Sequence, residues 1–167
     1  MAFKHKEQRV GVFIDTSNLY HSAKNLYKRK VNFGQVLKDA VGDRKLVRAT
    51  AYVISSEGGE EKNFFEALTK LGIEIKTKEL QIFAGGAKKG DWDVGITVDV
   101  IKMAQRLDAV ILVTGDGDFI PLVEHLQSML IQVEVVSFDK STSMKLKEAA
   151  DDFFDLSKNP RKYLIGR

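Results

Sequence analysis

Apolar positions along the chain follow two rhythms, short unbroken runs and stripes spaced three or four apart, and the two alternate. The run 9–15, RVGVFID, predicts a buried strand, and 45–55, KLVRATAYVIS, predicts another. Between them, Leu19, Ala23 and Leu26 fall at helical spacing behind Thr16, Ser17 and Asn18, each of a type that caps helices. Asn32 stands where it would cap a short helix carrying Phe33, Val36, Leu37 and Ala40. Phe64, Phe65, Leu68 and Leu71 mark a helix that Gly72 stops. Residues 73–83 alternate like one strand or a small hairpin, and 84–93, AGGAKKGDWD, is a polar loop. Val94, Val98, Ile101 and Ala104 then form a stripe, which predicts a helix with those residues toward the core. A strand at 109–114, a helix through Ile120, Val123, Leu126 and Leu130, and a strand at 132–138 complete the main pattern. A capped helix at 141–151 and a short edge strand at 153–156 follow. The expected organisation is one domain over 1–157 and a basic C-terminal tail, or docked extension, at 158–167.

Strands alternating with helices define an α/β fold, a mainly parallel sheet sandwiched between two helix layers. In such sheets ligands bind at the carboxyl ends of the strands. That rule makes the end of each apolar run worth inspecting.

Composition narrows the chemistry. With 167 residues the chain is long enough for one real core, and with no cysteine both disulfides and thiolate metal sites are excluded. The first apolar run is too short for a signal peptide or a membrane span, so a cytoplasmic protein without a membrane partner is expected. Net charge is only +3, yet residues 1–50 carry 11 Lys and Arg against 4 Asp and Glu. That bias suits a polyanion partner, although a merely solvated basic face would look the same.

Two aspartates separated by a glycine, Asp116 and Asp118, end the apolar run at 109–114, and Asp15 ends the first run. If those strands are neighbours, the three carboxylates meet at one rim. Asp93 and Asp99 belong to the intervening helix, and Asp99, next to Val98, is expected to point to the same rim. Two unit charges 4 Å apart repel by roughly 4 kcal/mol at an effective dielectric of about 20, so such a cluster needs protons or a cation. Oxygen ligands without sulfur favour Mg²⁺ or Mn²⁺, which activate water and stabilise charge on a phosphoryl oxygen. Each aspartate also has a local alternative. Asp118 or Asp93 can cap a helix, and Asp116-Gly117 can be a turn. Competing motifs fail. Gly85 and Gly90 have P-loop spacing, but Asp91 stands where Lys should follow, and His5, His21 and His125 lack metal-ligand spacing.

FIDTSNLY at 13–20, KGDWDVGITVD at 89–99 and VTGDGDF at 113–119 together resemble the NYN, or LabA-like, branch of the PIN-domain nuclease superfamily, over residues 9–156. The resemblance implies a Rossmann-like sandwich with strand order 3-2-1-4-5, which sets the strands ending at Asp15 and Thr114 side by side. It further implies a metal-dependent ribonuclease. Asp15, Asp99 and Asp116 would be catalytic metal ligands, and Asp118 a second-site or water-mediated one. Asn18 would orient Asp15 or a phosphate, and Asp93 would be an accessory acid or a cap. Lys88, Lys89, Lys28, Arg29 and Lys30 would neutralise RNA phosphates, and Trp92 would stack a base or pack into the core. A homodimer that extends the RNA groove is compatible with this picture. A catalytically weak RNA-binding module and, less well, a small-molecule phosphohydrolase remain alternatives on the same scaffold. The nuclease reading depends on acids distant in sequence crowding at one rim, and Asp15, Asp99 and Asp116 each lying apart with its own local partner would end it.

Overall fold

The structure, a computed structural model, describes residues 2–55, 61–86 and 88–166. Its strands are β1 (Arg9–Asp15), β2 (Lys30–Val31), β3 (Lys45–Ser55), β4 (Glu74–Glu79), β5 (Gln81–Ile82), β6 (Lys88–Lys89), β7 (Ala109–Val113), β8 (Gln132–Ser137), β9 (Asp152–Asp155) and β10 (Leu164–Ile165). The α-helices are α1 (Thr16–Tyr27), α2 (Phe33–Val41), α3 (Lys62–Lys70), α4 (Asp93–Met103), α5 (Ile120–Ser128), α6 (Met144–Ala149) and α7 (Pro160–Tyr163).

Six strands form one sheet in the order β4-β3-β1-β7-β8-β9, and every neighbouring pair is parallel. Numbered among themselves these strands run 3-2-1-4-5, the expected order, with a sixth strand added at the edge. The apolar runs of β1 and β7 arise because these strands are covered on both faces, as β8 also is. Along β1, Val10, Val12 and Ile14 enter a core with α1 and α2, whereas Phe13 enters a second core with α4, α5 and α6. Asn32 caps α2 as expected, its side chain accepting from the Gln35 N–H.

Two details depart from the sequence expectations, and the chain end takes one of its two expected forms. In α4 the buried residues are Ile96 and Val100, continued by Ala104 in the next turn, while Val94, Val98 and Ile101 face solvent. The helix carries two apolar stripes, and spacing alone does not say which one the sheet takes. The 73–83 segment is neither one strand nor a closed hairpin. Its first part is the parallel edge strand β4, and β5 pairs antiparallel with β6 beyond the loop. The end of the chain is docked. β10 pairs with β2, Tyr163 and Leu164 are buried, and the Tyr163 hydroxyl donates to Asp39 at 2.7 Å.

At the amino end of the sheet, Arg44 and Glu134 form a buried two-pronged ion pair, 2.7 and 2.9 Å. Arg44 also donates to the carbonyls of Ala40 and Val41, which fixes α2 against β8. The carboxyl ends of the strands are left for the acids.

Candidate functional site

The register pairs Ile14 of β1 with Val113 of β7, so the next residues, Asp15 and Thr114, meet at the carboxyl rim of the sheet. Asp15 is buried and is itself the cap of α1, where Thr16, Ser17 or Asn18 was expected. Its Oδ1 accepts from the Asn18 N–H at 3.4 Å, and its Oδ2 accepts from the Thr114 hydroxyl at 3.0 Å. The Thr114 oxygen in turn accepts from the Asp116 N–H at 3.2 Å. The Asn18 side-chain oxygen accepts from the Gly115 N–H at 2.9 Å. Asn18 therefore orients Asp15 through its backbone and the β7 loop through its side chain. Residue 115 must be glycine because a Cβ there would lie 2.5 Å from the Ser141 carbonyl oxygen.

Asp116 starts a short 3-10 turn over Gly117–Phe119 and accepts from the Asp118 N–H at 2.9 Å. Phe119 is buried in the core, and Asp118 is exposed. Asp93, at the first turn of α4, brings the third carboxylate. Oxygens of Asp15, Asp93 and Asp116 lie within 4.8 Å of one another.

The electrostatics record the crowding. Burial, opposed by the bonds from Thr114 and Asn18 and helped by the charges of Asp116 and Asp91, pushes the Asp15 carboxyl up to about 6. Burial, then the charges of Asp116, Asp91 and Asp15, push Asp93 up to about 7. Asp91 had not been expected here. Its side chain accepts from the Asp93 N–H at 3.1 Å, and it adds negative charge to the rim. The DxD spacing of Asp91 and Asp93 just before a helix was the available signal.

Asp99 goes elsewhere. Its Oδ2 accepts from the Tyr52 hydroxyl at 2.8 Å and from Lys76 Nζ at 2.7 Å. Burial acts against its charge, but those two donors hold the carboxyl below its ordinary range. It is six residues beyond Asp93, about 9 Å farther along the axis and away from the rim. Of the expected trio, the structure brings Asp15 and Asp116 together and puts Asp93 in the third place.

The expected RNA contacts separate in the same way. Trp92 packs on the protein rather than presenting a free face. Its indole N–H donates to the Val53 carbonyl at 3.0 Å, and its ring lies 5.3 Å from that of Tyr52. Lys28, Arg29 and Lys30 sit at the far end of α1, about 18 Å from Asp15 for a helix of 12 residues. Arg29 also spends its guanidinium on the carbonyls of Gly166 and Leu164. The side chains of Lys88 and Lys89 lie outside the described part of the structure. Among the described residues no helix is long and apolar enough to cross a membrane.

A parallel six-stranded sheet with converging acids at its carboxyl rim is the architecture of a PIN-like domain, and residues 9–157 match the NYN domain family. The chain belongs to that family. It is similar to the low amplitude and bright protein LabA of Synechococcus elongatus, with 27% identity over 168 residues, covering 94% of this chain and 87% of LabA. It is also similar to a crystal structure of a protein of unknown function from Vibrio parahaemolyticus. That match has a TM-score of 0.87 and 32% identity, and it covers 98% of this chain and 100% of the other.

Proposed function

We propose that this NYN domain is a divalent-metal-dependent nuclease that hydrolyses phosphodiester bonds of RNA, with Asp15, Asp93 and Asp116 holding Mg²⁺ or Mn²⁺. The observation that carries the reading is the gathering of those three carboxylates within 4.8 Å at the sheet rim. The donors fit the ion. All three are hard carboxylate oxygens, the donor type that Mg²⁺ and Mn²⁺ would take. When bound, such an ion activates water and stabilises charge on a phosphoryl oxygen.

The remaining work belongs to the chain. Asp15 cannot swing, because Thr114 and the Asn18 N–H hold one oxygen each. Asp116 is aimed by the Asp118 N–H and by its own N–H bond to Thr114. Asp93 is the least tied of the three, its backbone resting on Asp91. Asp118, exposed two residues beyond Asp116, is assigned the part of a second-site or water-mediated acid in this proposal.

The test is cleavage of a labelled single-stranded RNA with Mn²⁺, Mg²⁺ or chelator. The wild-type chain should cut with metal and not with chelator, and Asp116→Asn should lower the rate at least about a hundredfold. RNA binding with no cleavage under any metal would instead support a binding module. Turnover confined to phosphate monoesters would support a small-molecule phosphohydrolase.

A further inference from the structure

Helix α4 delivers Asp93, whose N–H is taken by the Asp91 side chain at 3.1 Å, but the rest of the first turn has little local support. Trp92, the residue at its N-cap, makes no side-chain capping bond, and the segment before it contains Gly85, Gly86 and Gly90. Val94 in the first turn is 77% exposed, and the buried apolar contacts of the helix begin at Ile96. A first turn with orphan N–H groups and an exposed valine frays unless something outside the helix ties it down.

The ties are side chains from the sheet. Asp99 of α4 accepts from Tyr52 of β3 and from Lys76 of β4, at 2.8 and 2.7 Å on one oxygen. The Tyr52 side chain is wholly buried, and its ring meets the Trp92 ring nearly edge-on at 5.3 Å. The Trp92 N–H bonds the β3 backbone at Val53, and Lys78 Nζ stands 4.9 Å over the indole. Gly95 completes the fit, because a Cβ there would be 2.5 Å from the indole ring. These contacts run unbroken from the middle of α4 through Tyr52 and Trp92 to the residue next to Asp93.

We infer that Asp99, Tyr52 and Lys76 are positioning residues, a brace that acts through Trp92 to hold the Asp93 carboxylate at the metal rim. This inference rests on the metal role proposed for Asp93. It assigns Asp99 a part different from that of a ligand. Asp99 touches neither substrate nor ion and sets where the first turn of α4 stands.

Trp92 is the single tryptophan of the chain, so its emission reports the brace without any metal. The experiment compares Tyr52→Phe, Lys76→Met and Asp99→Asn with Asp93→Asn. Trp92 emission and acrylamide quenching are measured in chelator, and Mn²⁺ binding is measured by the free-ion electron paramagnetic resonance signal. Each brace variant should shift the emission to the red, raise quenching and weaken Mn²⁺ about tenfold, the size typical of outer-sphere partners of metal ligands. Tyr52→Phe with Asp99→Asn should cost no more than the worse single variant, because both cut one connection. Asp93→Asn should weaken Mn²⁺ further with little change in the Trp92 signal.

Unchanged emission and unchanged Mn²⁺ affinity in all three brace variants would overturn the inference. So would loss of Mn²⁺ binding in Asp99→Asn as complete as in Asp93→Asn with Tyr52→Phe unaffected, since Asp99 would then be a ligand. If the wild-type chain binds no Mn²⁺ while the emission still responds, the metal reading fails and the brace survives as a tether of α4. Lys76 is 44% exposed at its side chain, so Lys76→Met tests the connection even if the buried variants fold poorly.

Discussion

Replacing Asp93 with asparagine should make the metal-free protein more stable and the metal-binding protein less able. In chelator at pH 8 the rim holds three carboxylates within 4.8 Å. At that separation, and at an effective dielectric of about 20, each pair repels by roughly 3.5 kcal/mol. Asp93 and Asp116 are only partly buried, so solvent screening reduces the realised cost to about 1–2 kcal/mol. Asparagine keeps the shape, removes one charge, and offers an amide N–H to the Asp116 carboxylate. The pH dependence follows from the shifts. Asp15 titrates at about 6 and Asp93 at about 7 in the folded chain, against about 3.9 when unfolded. Between pH 4 and pH 7 the folded wild type therefore holds protons that the unfolded chain has released, and stability falls as pH rises through that window. For Asp15 alone a shift of about two units corresponds to at most about 3 kcal/mol. The gap between Asp93→Asn and wild type should be near zero at or below pH 4, grow through pH 4–7 and level off at about 1–2 kcal/mol above pH 7. For a chain of this length that is a rise of about 3–6 °C in Tm. Urea and thermal unfolding in chelator across pH 4–9 measure it. In saturating Mn²⁺ the order should reverse, because a ligand at a hundred times its Kd adds about 2.7 kcal/mol to the wild type alone. A variant less stable than wild type at pH 8 in chelator, or a gap that ignores pH, would refute the charge-crowding argument.

Two further outcomes test the scaffold around the rim. Arg44→Met should destabilise the fold by about 2–4 kcal/mol in urea unfolding, because it leaves the buried Glu134 carboxylate with only the Gln132 amide and Lys4 at 3.7 Å, and adding Glu134→Leu should recover most of the loss. Gly115→Ala should cost more than about 2 kcal/mol and blunt Mn²⁺ binding, since its methyl collides with the Ser141 carbonyl and pushes the Asp116 loop outward.

The sheet was readable from the sequence because parallel strands buried on both faces leave apolar runs, unbroken in β7 and in 51–54 of β3, broken only by a glycine in β1 and by Glu134 in β8. Asp15 and Asp116 were readable for the same reason, as each follows such a run directly or within three residues. The third acid was not. Asp93 and Asp99 are six residues apart, about 240° around a helix of 3.6 residues per turn, so they cannot aim at one point. Choosing between them required knowing which apolar stripe of α4 faces inward and which end of the helix meets the rim. Val94, Val98 and Ile101 are spaced as well as Ile96, Val100 and Ala104, and only the packing of α4 against the sheet decides. The basic triplet at 28–30 lies away from the rim, and charge along a sequence does not say at which end of a helix it emerges. Trp92 was ambiguous because a polar neighbourhood in sequence hid a carbonyl acceptor on β3.

Thr114 contributes one hydrogen to the rim, and that hydrogen is committed to Asp15 while its oxygen receives the Asp116 amide. The first-strand acid and the β7 loop are thus geared together through a single rotor. Any displacement of the Thr114 side chain would move both partners, so the Asp15 carboxylate and the Asp116 backbone should stay in one register as the ionic radius changes, leaving Asp93 to take up the difference.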